Sequence, residues 1–407
     1  MSECRFCHAP LARSFVDLGL QPLANSYVAA NKAGVPEPRY PLHARLCESC
    51  LLVQVDHDVP AEAIFSDYAY FSSYATSWVE HARRYALVMQ QRFGLGPESQ
   101  VVEVASNDGY LLQHFKAAEI KVLGVEPAAN VAAVAEQKGI PSEVAFFNTE
   151  TAQRLRNAGY VADLMVANNV MAHVPELNEF VAGFAILLKP QGVLTVEFPH
   201  LLNLIEQVQF DTIYHEHYSY LSLLAAEKIF TAHDLRVFDV EQLPTHGGSL
   251  RLFVCHRDAV HADSSGLTMV RAQEQAAGLQ GLAAYDNFAP KVQAVREQLR
   301  AFLAEAKRVG RKVCAYGAAA KGNTLLNYCG VTALDIAVVY DKNPHKQNHL
   351  LPGSQVPIRD PQAIAADRPD YLLILPWNLR EEISAEQAQI RDWGGHFVTA
   401  IPRLQVF

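Results

Sequence analysis

Four apolar runs, VVEVA (101–105), VLGVE (122–126), ADLMVA (162–167) and GVLTVEF (192–198), are separated by segments of helical length. Strands buried on both faces carry no polar side, so continuous apolar runs alternating with helices predict an open parallel sheet covered by helices. The alternation restarts near Arg311 with KVCAYGA and continues through IAVVYD (336–341), YLLILPW (371–377) and HFVTAIP. A second Rossmann-like unit is therefore expected. Ahead of the first sheet, Ile64 to Gln91 has a helical, aromatic-rich pattern that reads as a bridge. Between the two sheets, residues from about 241 to 310 read as a connector, with a short strand pair around HGGSLRLFVC and a long charged helix from about Asp286 to Val309. Residues 1 to about 60 hold turn signals and short apolar runs, too little to form a core unaided. The expected class is α/β, a small N-terminal domain followed by two Rossmann-like domains, with divisions at 1–60, 61–240 including the helical lead-in, and 241–407.

Composition narrows the partners. The chain has 407 residues, of which 50% are hydrophobic and 19% charged, an ordinary globular balance. Net charge is −9 and no Lys/Arg block stands out, so the electrostatic footprint that nucleic acid or an anionic membrane requires is missing. No leader pattern or bilayer-length apolar stretch is present, which makes a cytoplasmic protein the expectation. A monomer is expected, without a sequence signal for it.

The N-terminal segment has another source of stability. Cys4, Cys7, Cys47 and Cys50 form two C-x2-C pairs separated by a long insertion. Each knuckle can aim two thiolates at one ion, and four thiolates make a closed, structural zinc site. Two redox pairs or free thiols are the other reading of the same residues.

The loop after the first strand carries a different chemistry. VVEVASNDGYLL places Glu103 in the strand, a turn containing Ser106, Asn107 and Gly109 after it, and a helix next. One strand later GVEP ends in Glu126 and Pro127, where an acid can accept hydrogen bonds from both ribose hydroxyls. The turn departs from G-x-G-x-x-G, so a pyrophosphate against bare backbone fits poorly. S-adenosylmethionine, with ribose, adenine and an amino-acid tail but no phosphate, fits better. Asn148 of FFN (146–148) and Asn168 and Asn169 of ANN (167–169) fall where later strands would meet adenine and the methionine tail. A glycine-containing turn with no cofactor is the plainer account.

Taken together, the two C-x2-C pairs, YAYFSS (68–73), EVASNDGYLL (103–112), GVEP (124–127), ANNVMAHVP (167–175), FDTIYHEHYSYLS (210–222), HGGS (246–249), YGAAAKGNTLLN (316–327), YDKNPHKQN (340–348) and LPWN (375–378) resemble the sugar C-methyltransferases of deoxysugar biosynthesis over essentially the whole chain. The resemblance implies a zinc-binding domain, a central S-adenosylmethionine-dependent domain and a C-terminal domain that helps hold a nucleotide-sugar, with dTDP the expected carrier and methylation at C3 of a keto sugar. It also implies that His217 is the base, Tyr214 the partner of the enolate, and Glu216 a group that tunes or orients them. His215 stands where an acid is expected in such relatives.

Those roles suit the reaction. A carbon beside a ketone accepts a methyl group only after a base removes its proton and a donor stabilises the enolate oxygen. If Tyr214-His215-Glu216-His217 is extended, His215 and His217 share one face and Glu216 points away. An aromatic-rich loop with locally satisfied histidines is the alternative. His173, in the AHVP turn, is assigned to substrate or acid/base support. Tyr68 and Tyr70 are candidates for contact with sulfonium or sugar, His246, Gly247 and Gly248 for flexible backbone at the substrate, and Lys321 and Asn323 for the diphosphate side. A nicotinamide-dependent dehydrogenase or epimerase acting on a nucleotide-sugar is the rival class, because Gly317 to Gly322 follows a strand, precedes a helix and is followed by Asp341 at the next strand end.

Overall fold

The computed structural model describes residues 2–56, 72–74 and 76–407. Tyr68 and Tyr70 lie outside the described residues. The chain forms two compact units, each assembled from three separate stretches: residues 1–12, 47–201 and 218–281 make the first, and residues 13–46, 202–217 and 282–407 the second. Among the described residues no helix is long and apolar enough to cross a membrane.

The first unit is built on a seven-stranded sheet. Its strands are β1 (Gln100–Val104), β2 (Lys121–Val125), β3 (Ser142–Glu143), β4 (Ala162–Asn168), β5 (Leu188–Pro199), β6 (Leu235–Leu243) and β7 (Ser249–His256), in the order β3-β2-β1-β4-β5-β7-β6. Strands β1 to β5 run parallel, and β7 is antiparallel to both β5 and β6. Val101, Val102 and Val104 are all buried, as are Leu164, Met165 and Val166, so both faces of the central strands are covered. The apolar runs thus mark four of the five parallel strands, all but the two-residue edge strand β3. The strand pair around HGGSLRLFVC, by contrast, is part of this sheet rather than of a connector. Its turn is Thr245–Gly247, and its second strand pairs with β5 from Ser249↔Pro199 to Val254↔Leu194.

The second unit has a six-stranded sheet. Its strands are β8 (Val313–Tyr316), β9 (Val339–Tyr340), β10 (Ile358–Arg359), β11 (Tyr371–Ile374), β12 (His396–Thr399) and β13 (Gln405–Val406), ordered β10-β9-β8-β11-β12-β13, and all but the last are parallel. The long helix is Phe288–Arg308, and it buries Phe288, Val292, Val295, Leu299 and Leu303 at helical spacing. Residues 13–46, the insertion between the two cysteine pairs, also belong here. Arg13–Gln21 and Tyr40–Leu46 pair antiparallel, and the Phe15 ring stacks on Phe288 with centroids 4.5 Å apart.

Candidate active site and metal centre

The two cysteine knuckles have one design. After each second cysteine, His8 and Leu51 take positive φ (58° and 67°). Their N–H groups donate to the carbonyls of Cys4 and Cys47, each at 2.9 Å, which curls each knuckle so that both thiols face one point. Cys4 and Cys50 sulfurs lie 3.5 Å apart, Cys7 and Cys47 likewise, and all four ligand atoms fall within 4.8 Å of one another. Tetrahedral Zn–S bonds of about 2.3 Å place sulfurs about 3.8 Å apart, so the set fits one zinc ion with no ligand position left for substrate. Zinc here supplies cross-linking, not chemistry.

In the first unit, Glu103, Glu126 and Asn168 stand at the carboxyl ends of β1, β2 and β4, beside the point where strand order reverses and where ligands bind in open α/β sheets. The turn after β1 uses positive φ at Ala105, Asn107 and Gly109. Gly109 takes φ +76°, which strains any L side chain, and a Cβ there would also have to displace Ile140 Cδ1, 2.3 Å away. Glu126 fixes the turn: its Oε2 accepts from Asn107 N–H and its Oε1 from Ala128 N–H, both at 2.9 Å. Burial raises the Glu126 carboxyl above its usual range. Burial, with Glu126 and Asp108 nearby, raises that of Glu103 well above it.

Three buried atoms, Glu103 Oε2, Ser106 Oγ and Asn168 Oδ1, find no hydrogen-bond partner among the described residues. Polar atoms so placed call for a ligand. A molecule with a ribose, an amino group and a cationic sulfur meets that demand, and S-adenosylmethionine fits. Of the other residues assigned to it, Asn169 takes φ 54° and donates its N–H to Glu197 O, Pro127 follows Glu126 in the loop after β2, and Asn148 caps the helix Thr149–Asn157 through Thr151 N–H at 2.9 Å.

Sequence reasoning missed several neighbours. Tyr110 lies among Glu103, Trp78 and Asn168, and the Trp78 ring contacts His81 and His246 at 4.9 and 5.6 Å. Fully buried Glu197 takes Arg251 Nε at 2.6 Å. Tyr110 was within reach, since it ends the DGY of the quoted turn. Glu197 and Arg251 pair across β5 and β7, a register the sequence does not reveal. His173 closes the 3-10 turn Met171–His173 after β4, its N–H on Val170 O. His246, Gly247 and Gly248 form the β6–β7 turn, all at positive φ.

In the second unit, Tyr214 to His217 is not extended. His217 N–H donates to Tyr214 O at 2.9 Å, closing a turn, so the expected alternation of faces does not hold. The Tyr214 and His217 rings lie against each other, with centroids 4.0 Å apart. His217 Nδ1 stands 2.9 Å from Thr212 O. A carbonyl only accepts, so Nδ1 carries the hydrogen and Nε2 is the basic nitrogen of the neutral ring. Glu216 turns inward. Both its oxygens accept from Asn25 Nδ2, at 2.9 and 2.7 Å, and burial pushes its carboxyl up to about 7. Asp211, also missed although it lies in the quoted motif, is fully buried, accepts from Trp377 Nε1 at 2.8 Å and is pushed by burial up to about 6.

The turn after β8 is held by Asp341, whose Oδ2 accepts from Ala318 N–H at 2.7 Å and Oδ1 from Asn343 N–H at 2.8 Å. Lys321, at the start of the helix Ala320–Cys329, donates to Asn378 Oδ1 at 2.8 Å and lies over the Trp377 ring. Asn323 is buried, and its Nδ2 donates to Ala24 O at 2.6 Å.

Comparison with known proteins agrees with this arrangement. Family models match in succession: a zinc binding domain over residues 4–65, a methyltransferase domain over 78–240 and a C-methyltransferase C-terminal domain over 244–402. The C-methyltransferase NovU of Streptomyces niveus is 34% identical over 406 residues, 100% of this chain and 97% of NovU. Solved structures with partial overlap include an S-adenosylmethionine-dependent methyltransferase from Anabaena variabilis (15% identity, 43% of this chain and 85% of that one, TM-score 0.36) and another from Clostridium acetobutylicum (13% identity, 44% and 92%, TM-score 0.36). The rival nicotinamide-dependent class is not favoured. The chain belongs to the C-methyltransferase family that its motifs resemble, and it is an S-adenosylmethionine-dependent C-methyltransferase with an N-terminal zinc-binding module.

Proposed function

We propose that this enzyme methylates a deoxy-keto sugar carried on dTDP, at C3, by deprotonation beside the ketone. The observation that carries the reading is the Thr212 carbonyl on His217 Nδ1, which leaves the lone pair of the neutral ring on Nε2 and so supports His217 as the base. In this scheme the C–H electron pair becomes an enolate as its proton passes to His217 Nε2. The Tyr214 phenol donates to the enolate oxygen, and Glu216, held by Asn25, orients the turn. S-adenosylmethionine supplies the electrophilic methyl group when bound. The enolate pair forms the new C–C bond, S-adenosylhomocysteine leaves, and His217 returns its proton to solvent.

Glu103, Ser106, Asn107, Gly109, Glu126, Pro127, Asn148, Asn168 and Asn169 are the proposed cofactor set. His173 is assigned to substrate or acid/base support, Tyr68 and Tyr70 to the sulfonium or sugar, His246, Gly247 and Gly248 to the substrate, and Lys321 and Asn323 to the diphosphate end. The enzyme is read as a cytoplasmic monomer that uses neither nucleic acid nor membrane. His217→Ala and Tyr214→Phe are each expected to lower kcat by roughly 10²-fold or more, the usual scale of acid/base and oxyanion contributions, while S-adenosylhomocysteine still binds. Wild-type turnover in His217→Ala would remove the base. Thermal stabilisation by dTDP and S-adenosylhomocysteine but not NAD supports the substrate class; stabilisation by NAD alone defeats it.

A further inference from the structure

Gly317 and Gly322, the glycines on which the nicotinamide reading rested, make room for protein. A Cβ at Gly317 would lie 2.4 Å from Pro376 Cδ, and one at Gly322 2.9 Å from Leu375 Cβ. Bare backbone at these two positions lets the loop after β11 pack closely. Trp377 follows at the start of the 3-10 helix Trp377–Leu379, and its Nε1 donates to Asp211 Oδ2 at 2.8 Å.

The helix Ala320–Cys329 holds the residues on either side of Asp211 and Thr212. Thr324 Oγ1 donates to Ile213 O at 3.1 Å, and the Tyr328 ring lies against Phe210 with centroids 5.3 Å apart. Thr324 and Tyr328 are four residues apart and so share one face of the helix. Thr212 sits between the two hydrogen-bonded residues and presents the carbonyl to which His217 Nδ1 donates at 2.9 Å. The group that sets the tautomer of His217 is thus fixed on both sides, at Asp211 by Trp377 and at Ile213 by Thr324. All of these residues belong to the second unit.

Folding alone does not call for a carboxyl at position 211. The side chain is fully buried, and its Oδ1 finds no hydrogen-bond partner among the described residues. Burial pushes it up to about 6, so the ionised form is kept at a cost in stability. In return, an ionised acceptor takes a shorter and stronger N–H bond than a neutral one, which suits a group that must hold an indole in place. We infer that Trp377, Asp211 and Thr324 are positioning residues for methyl transfer, which fix the Thr212 carbonyl and through it the direction of His217 Nε2; this rests on His217 being the base.

The test uses the full zinc-loaded chain. Trp377→Phe keeps an aromatic ring and removes the N–H, Thr324→Val keeps the shape and removes the hydroxyl, and Thr324→Ser restores it; His217→Ala is measured beside them. Trp377→Phe and Thr324→Val should lower kcat by roughly 10- to 100-fold, since small displacements of reacting groups cost that much, with KM and S-adenosylhomocysteine affinity unchanged. Thr324→Ser should recover most of the rate. Should Trp377→Phe fold poorly, the two Thr324 variants decide. Asp211→Asn weakens the bond from Trp377 while removing the buried charge, so at pH 8 it should lower kcat by roughly 3- to 10-fold and raise the melting temperature, a divergence that a purely structural role does not produce. Wild-type kcat in Trp377→Phe and Thr324→Val, with His217→Ala inactive, overturns the positioning role and leaves the base. A rate that falls only in step with the melting temperature, with Thr324→Ser no better than Thr324→Val, reduces the three residues to packing and overturns it as well. Wild-type kcat in His217→Ala removes the base and the positioning role together.

Discussion

Replacing Glu216 by Gln should stabilise the protein by an amount that grows as pH rises from about 4.5 to about 7. The Glu216 carboxyl is raised from an ordinary 4.5 to about 7 by burial, against the opposing pull of the Asn25 amide. Below pH 4.5 the group is protonated whether the chain is folded or not, and costs nothing. Between 4.5 and about 7 the unfolded chain ionises while the folded one keeps its proton, so stability falls as pH rises. Above 7 the whole penalty is present. At about 1.4 kcal/mol for each tenfold change in protonation, it amounts to about 3 kcal/mol. A glutamine has the shape of the protonated acid and still offers Asn25 an oxygen. Glu216→Gln should therefore gain at most about 3 kcal/mol at pH 8, which for a unit of this size raises its melting temperature by roughly 5–10 °C, and under about 1 kcal/mol at pH 5. Scanning calorimetry of both proteins at the two pH values measures the difference. An equal shift at pH 5 and pH 8, or a lower melting temperature at pH 8, would refute the reasoning, because either result means that ionisation of Glu216 is not what burial opposes.

Gly109→Ala places a methyl group 2.3 Å from Ile140 Cδ1 at φ +76°, and it should lower stability by about 1–3 kcal/mol and weaken S-adenosylhomocysteine binding in calorimetric titration. Cys47→Ser should release the zinc, seen as well under one metal per chain, and lower the melting temperature of the first unit, because the module lacks an apolar core of its own. Asp211→Asn should repeat the pH pattern of Glu216→Gln with its window displaced downward, since Asp211 is raised from 3.8 to about 6.

The parallel strands were legible because burial on both faces leaves an uninterrupted apolar signature, and Val101 to Val104 is read equally well from sequence and structure. The β6–β7 hairpin was read as a connector for the opposite reason. Its strand pair was legible, but Asp239, Glu241 and Arg251 have their charges satisfied by Arg92 and Glu197 on elements far away in the chain, so nothing local marks which sheet it joins. The insertion between the knuckles was illegible on the same ground: Phe15 finds its partner at Phe288, beyond the reach of any periodicity. The turn at Tyr214 to His217 was lost because alternation assumes an extended chain, and the group that draws Glu216 inward, Asn25, is 191 residues away.

The resemblance names His217 as the base, and the backbone carbonyls around the two histidines treat them differently. His215 and His217 flank Glu216 and are chemically equal as residues. His215 directs Nε2 at Pro41 O, 3.1 Å away, and is only 4% exposed, so that nitrogen must carry a hydrogen. His217 directs Nδ1 at Thr212 O, so its Nε2 keeps the lone pair. The two imidazoles are thereby held in opposite tautomers. The Nε2 nitrogen is a donor in His215 and carries the lone pair in neutral His217, which is compatible with the proposed role of His217. His215 is left to anchor the turn against the strand Tyr40–Leu46. An acid at position 215 could not donate to that carbonyl when ionised. The departure of this chain from the residue expected there is therefore matched by a partner suited to histidine.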